Sequence, residues 1–416
     1  MATETSKKTK PVHAPMSQFP VIDNCLHVAG KPITQLAKEV GSTPFYVYDK
    51  QLMTENFHQL RNALPDAISI HYAMKANPMP EVVSHLASLT NGLDVASKGE
   101  LEVALKTGID PEEISFAGPG KTNDELETAI NAGIIINMES EGEMERIAQI
   151  SDRLGTRAVV SVRVNPDFEL KTSGMKMGGG PKPFGVDAER VPAMLQRIGE
   201  LELDFRGFHI FSGSQNLRPE AVIEAQTKTF ELALKLAQHA PSPIKWLNIG
   251  GGLGIPYFPG EERLDLKPIA ENLDKLLKQY QPLLPKAEIV MELGRYLVGE
   301  AGLYVCEVVD VKESRGTTYA ITNGGMHHHL SVSGNFGQVI RKNYPVCLGN
   351  RVDSDYKQSI NVVGPLCTPL DILADKYELP TPHAGDLFVV YQSGAYGYSA
   401  SPHLFLSHPE PEQILV

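Results

Sequence analysis

The sequence predicts an α/β protein, a parallel (β/α)8 barrel of the TIM type followed by an all-β C-terminal domain, a Greek-key barrel or sandwich. Between Thr43 and Tyr296, short apolar runs alternate about eight times with helical stretches. That rhythm suits a closed parallel barrel better than an open doubly wound sheet. After Tyr296 the helical period vanishes and strand-like runs separated by loops take over. The length of 416 residues is enough for two or three domains, and with 42% hydrophobic residues the chain is neither fibrous nor disordered.

Residues 1–20 are polar, with Lys, Thr and Pro prominent, and read as a flexible tail. Residues 21–43 read as a strand region joining the β-domain, 44–296 as the barrel and 297–416 as the β-domain. Phe45–Tyr48 is a β-rich run before a helix at Gln51–Leu64, and Ala67–Met74 alternates like a strand before a helix from Met79. Gly92–Ala96 leads into a helix opening at Ser97, with Glu100 placed to complete a capping box. Further strands are Ile114–Ala117, Gly133–Asn137, Ala158–Val164, Phe205–Phe211 and Lys245–Ile249. Their helices are Thr122–Ala132, Glu141–Leu154, Ala188–Ile198, Pro219–His239 and Leu266–Tyr280, and the strand Glu288–Glu292 closes the series. In the second domain Tyr304–Val311, Thr318–Thr322, Ser359–Val363 and Leu387–Tyr391 are strand-like.

Composition excludes several functions. The net charge of −12, from 38 basic and 50 acidic side chains, argues against nucleic acid or anionic lipid as the main partner. No apolar run approaches the roughly 18 residues of a membrane span, and the start has no secretory apolar core. A cytoplasmic protein is expected. Cys25, Cys306, Cys347 and Cys367 are too sparse for a disulfide framework and form no CxxC pair. His327-His328-His329 suggests a metal, but neighbours in extended chain face alternate ways, so none is expected.

Four strand ends carry candidate chemistry. Lys75 follows His71-Tyr72-Ala73-Met74 and would stand at the barrel mouth, where partial burial would lower its pKa and favour an imine with a carbonyl cofactor. A solvated lysine is the plainer account. Gly250-Gly251-Gly252 would let backbone N–H groups approach one phosphate, or would simply make a tight turn; Pro256 rules out a dinucleotide helix. His209 and Ser212 end another strand, as a ring-stacking pair or as ordinary core residues. Glu292, Gly294 and Arg295 end the last barrel strand, where a structural ion pair would also explain the charges.

Taken together these residues resemble the fold-type III pyridoxal-phosphate decarboxylases, the diaminopimelate and ornithine decarboxylase group. Seven motifs stand in the family's order from about Thr43 to Pro411. The resemblance implies Lys75 as the Schiff-base lysine, with Asp94 near it. It implies His209 as the ring-stacking residue, Ser212 and Gly250 to Gly252 at the phosphate, and Glu292 as the carboxylate on the pyridine nitrogen. Gly294, Arg295 and Tyr396 would complete the cofactor site. Cys367, in Gly364-Pro365-Leu366-Cys367, resembles a cysteine contributed across a homodimer interface, where it would act as general acid. A thiol of ordinary pKa, about 8.5, keeps its proton near neutrality, as that role needs.

Substrate residues implied by the resemblance are Arg295, Arg341, Tyr344, Thr368, Asp371 and Tyr396, although Tyr344 stands three residues after Arg341 where the family has four. The family's diaminopimelate and ornithine members follow the cysteine with an acid that grips a distal amine; here Thr368 stands there. Without it a distal ammonium loses a charge-assisted bond of about 1.5–3 kcal/mol. The segments Ser173–Gly185, Asn323–His329 and Gly364–Pro369 resemble a narrower branch. It includes the glutamyl-carrier-protein decarboxylase of butirosin biosynthesis and exosortase-associated relatives. The resemblance thus implies a decarboxylase acting on a small-molecule or carrier-protein-bound amino acid, with Lys171, Lys176 and Lys182 as a landing site for an acidic carrier or as a solvated loop. Free diaminopimelate as substrate is the alternative, and an amino-acid racemase on the same barrel a further one; a non-catalytic cofactor binder fits the long C-terminal half poorly.

Overall fold

A computed structural model describes residues 11–168, 175–176, 178–354 and 356–416. Eight parallel strands close into a barrel: β1 (Ile68–Ala73), β2 (Gly92–Val95), β3 (Ile114–Phe116), β4 (Ile135–Met138), β5 (Val159–Asn165), β6 (Asp204–His209), β7 (Trp246–Gly251) and β8 (Glu288–Leu293). Each pairs with the next, and β8 pairs with β1 to close the ring. The helices between them start where side chains satisfy free N–H groups. Thr122 and Glu125 form a reciprocal capping box, and Ser140 caps Glu141–Leu154. At Ser97 the hydroxyl accepts from the Glu100 N–H, while Glu100 reaches back to the Ala96 N–H, one residue earlier than a reciprocal box requires.

The second domain is a mixed eight-stranded sheet around the long strand Gly302–Ser314. One neighbour of that strand corrects the expected boundary. Phe45–Tyr48, assigned to the barrel from sequence, pairs antiparallel with Gly302–Val305 and parallel with Glu412–Leu415. The barrel strands therefore begin at Ile68, not near residue 44. Alternation along the displaced strand explains its place. Phe45 and Val47 pack with Leu26, Ile33 and Val389, whereas Tyr46 and Tyr48 face the continuous core that runs on into the barrel.

The expected tail also needs correction over its described part. Phe19 is 2% exposed in the β-domain core, and His13 bonds the Asn343 carbonyl at 2.8 Å. Residues 1–10 lie outside the described residues. Residues 21–32 form a small three-stranded sheet of their own, and the helix Ile33–Val40 packs it onto the β-domain. Among the described residues no helix is long and apolar enough to cross a membrane.

Candidate active site

Register places the chemistry. His71 on β1 lies opposite Glu292 on β8 and Gly92 on β2, while Ala73 lies opposite Asp94 and Asp94 opposite Ser115. Since alternate residues of a barrel strand point inward, these polar side chains share the interior. Ser115 Oγ donates to Asp94 at 2.5 Å, Asn137 Nδ2 donates to Ser115, and Ser161 donates to Asn137. A hydrogen-bonded polar chain thus crosses four strands, leaving Asp94 Oδ2 without a hydrogen bond.

At the mouth, Lys75 sits in the turn Met74–Ala76 with its side chain exposed and its Nζ 5.8 Å from the Phe211 ring centre. Its pKa moves opposite to the expectation. Desolvation pushes the ammonium down, but Glu292, Tyr396 and Asp94 outweigh that and Arg163's repulsion, so Lys75 is held above the ordinary lysine value. Glu292 is 6% exposed and accepts from Asn248 Nδ2 at 3.2 Å, with His209 Nε2 also at 3.2 Å. Burial would raise its carboxyl, yet His209, Lys75 and Arg163 hold it well below the carboxylate range.

The Gly250–Gly252 turn admits no side chain. A Cβ at Gly251 would lie 2.1 Å from the Glu292 carbonyl, and one at Gly252 2.1 Å from that of Gly213. Gly250 and Gly252 also have left-handed φ of 69° and 72°. Ser212, 7% exposed, lines the adjoining small cleft with Gly250 and Gly251. Gly294 opens the short helix after β8, where a Cβ would lie 2.8 Å from the Ala73 carbonyl. Arg295 is stacked between two rings, 4.7 Å from Tyr396 and 5.4 Å from Tyr257, and donates to the Tyr257 hydroxyl at 2.9 Å. Tyr396 comes from the β-domain of the same chain, and its N–H bonds the Ala76 carbonyl at 2.8 Å.

The remaining residues sit apart from this cluster or have their donors and acceptors engaged. Asp371, 2% exposed, accepts from the Met326 and Leu366 N–H groups at 2.6 and 2.9 Å. Its carboxylate thus ties Met326 to the Cys367 loop. Arg341 donates to the Ser333 and Ile372 carbonyls and to Asn343. Tyr344 is buried with its ring 4.8 Å from Tyr257. Cys367 is exposed and free, and Thr368 faces a groove of about 500 Å³ shared with Tyr319 and Ile372. Lys171 lies outside the described residues, as does the Lys176 side chain.

Sequence reasoning missed Arg163, Asn248 and Tyr257. Arg163 pairs with Glu139 at 2.8 Å, and Glu139 also accepts from the Gly118 and Gly185 N–H groups. The signal was present in Val159–Asn165, where Ser161, Arg163 and Asn165 alternate with valines in a barrel strand.

A closed parallel barrel with a lysine at its mouth, a buried carboxylate held ionised and a glycine cradle defines the pyridoxal-phosphate enzymes of barrel type. The cradle that a Cβ would fill, and the His209 ring nitrogens that lack an aligned hydrogen bond, fit such a flat phosphorylated cofactor. Comparison then identifies the group. The family described as pyridoxal-dependent decarboxylase, pyridoxal binding domain, matches residues 50–299. The L-glutamyl-[BtrI acyl-carrier protein] decarboxylase of Niallia circulans is 36% identical over 92% of this chain and 90% of that protein. The diaminopimelate decarboxylase of Aquifex aeolicus is also 36% identical, over 95% and 91%. The diaminopimelate decarboxylase of M. jannaschii in complex with L-lysine superposes with a TM-score of 0.88 at 26% identity, covering 96% of this chain and 92% of that one. The chain belongs to the pyridoxal-dependent decarboxylases. It is a carboxy-lyase that uses pyridoxal phosphate.

Proposed function

We propose that this decarboxylase acts on an aminoacyl group held on a carrier protein, and that it works as a cytoplasmic homodimer sharing its active sites. Bound pyridoxal phosphate supplies a ring that takes up the electron pair left when CO2 departs. Lys75 would hold the cofactor and exchange it for the substrate amine. Glu292, ionised and oriented by Asn248 and His209, would keep a proton on the ring nitrogen. Gly250, Gly251, Gly252, Gly294, Ser212 and Tyr396 would hold the phosphate, and Arg295 and Arg341 the substrate carboxylate. Cys367 would return a proton to the carbon that lost CO2.

One observation carries the substrate assignment. The residue after Cys367 is Thr368, and the nearest acid, Asp371, has both oxygens committed to backbone N–H groups. The Cys367 loop therefore offers no free carboxylate to a distal ammonium. The two relatives at 36% identity do not decide the matter, since one acts on a carrier-bound glutamyl group and the other on diaminopimelate. CO2 release measured side by side with aminoacyl carrier proteins and with free diaminopimelate separates them. Faster turnover of the carrier-bound substrate is expected, and efficient turnover of free diaminopimelate would overturn the assignment.

A further inference from the structure

We propose that the closed end of the barrel, opposite Lys75, is a divalent-cation site of the Zn2+ type built from His71, Glu113 and Glu288. Strand direction sets its position. Lys75 follows the C-terminal end of β1, whereas Glu288 is the first residue of β8 and Glu113 immediately precedes β3. Alternation keeps His71 on the inward face of β1, Glu288 on the face of Glu292, and Glu113 on the face of Ser115. Glu113 and Glu288 lie towards the strand starts, and His71, in register with Glu292, meets them from above.

The geometry is that of a ligand set. One ligand atom from each residue lies within 4.8 Å of the others, and His71 Nε2 is 3.6 Å from Glu113 Oε2. Bonds of about 2.0–2.2 Å to a tetrahedral ion place its ligands roughly 3.4 Å apart, so His71 and Glu113 already stand near that spacing and the widest pair would close by at most about 1.4 Å. His71 is 1% exposed, and neither ring nitrogen has a hydrogen-bond partner. Each nitrogen faces a carboxylate beyond hydrogen-bond distance, a spacing that an ion on the Nε2 side would fill. Its Nδ1 is 3.7 Å from Asp94 Oδ1, the outer carboxylate that commonly orients a metal-bound histidine, and Ser115 fixes Asp94 in turn.

The surroundings fit as well. A Cβ at Gly92 would lie 2.4 Å from His71 Cε1, so the glycine leaves the ring its room. Ser69 donates to one oxygen of Glu288. Glu113 is 36% exposed, which leaves a path for the ion and a solvent ligand. Among the described residues, neither Glu113 nor Glu288 pairs with a lysine or arginine. The site is independent of the substrate assignment above. A bound ion would tie β1, β3 and β8 together from below.

The test uses the untagged full-length holoenzyme, stripped with EDTA and dialysed against Zn2+ alone, with metal content measured by mass spectrometry. About one Zn2+ per chain is expected. The double variant Glu113→Gln/Glu288→Gln should lose at least about tenfold of it, with circular dichroism and cofactor absorbance unchanged. Failure of the wild type to retain zinc would leave only a buried ion pair and overturn the proposal. Equal retention by the double variant would place the metal elsewhere and overturn it too. Should the double variant misfold, Glu113→Gln alone decides. Co2+ loaded into the wild type should give visible absorbance that this variant loses, and an unaltered spectrum would sink the site.

Discussion

The barrel mouth and the β-domain set the charge of their titratable groups in opposite ways. At the mouth, Glu292 stays ionised and Lys75 and Arg295 stay charged, because each faces partners that outweigh its desolvation. In the β-domain burial wins for the histidines and two thiols, while Asp386 stays ionised beside Arg351. His327 and His329 are pushed down to about 3 and His328 to about 4, while the Cys306 and Cys347 thiols are pushed up to about 12. Those groups are packing residues. Burial by itself thus neutralises, and charge survives only where partners converge, which marks the mouth as the place of charge chemistry. Cys367 belongs to neither set, since it is exposed at a β-domain loop. The lysine, carboxylate and glycine cluster is assembled within one chain, whereas Cys367 is presented outward.

Breaking the mouth should have the largest effect. Lys75→Ala should abolish both turnover and the absorbance near ~420 nm that lysine-bound pyridoxal gives; an unchanged spectrum would remove Lys75 from its role. Cys367→Ala should leave that absorbance intact and lower turnover by about 10²–10⁴-fold, and full activity would end its assignment as proton donor. Acid should then distinguish the β-domain. An unfolded histidine titrates near about 6.5, so below that pH the unfolded chain takes up protons that the buried histidines refuse. Stability is whole above about pH 6.5 and falls as the pH drops toward the depressed values, by about 2 kcal/mol from His329 alone at pH 5. Thermal melts at pH 7 and 5 should show this, and equal midpoints would contradict it. Smallest is a gain: Thr368→Glu should raise turnover of free diaminopimelate by about tenfold, one charge-assisted bond, measured as kcat/KM.

What the sequence revealed follows from how local each signal is. The helix Glu141–Leu154 was legible to the residue, because Ser140 caps it and Gly155 ends it in left-handed conformation. Lys75, Glu292 and the glycine turn were legible as strand-end residues in a repeating pattern. Phe45–Tyr48 was not, since four apolar residues before a helix look the same whichever sheet receives them, and its partners lie more than 250 residues away. Phe19 was hidden for a similar reason, being one aromatic in a polar stretch whose pocket is assembled from distant strands. Asp371 shows the limit of motif matching. Its place after the cysteine was legible, whereas the crowding of Gly325 and Gly364 against its carboxylate was not.

The bond from the Tyr396 N–H to the Ala76 carbonyl has a mechanical consequence. Asn77 Nδ2 reaches the Gly394 carbonyl and the Gly394 N–H reaches that of Gly299, so the turn is tied to the other domain through the two residues that follow Lys75. The barrel cannot tilt against the β-domain without dragging the lysine with it. A barrel cut free near residue 299 would keep every strand of its ring yet lose the brace behind Lys75.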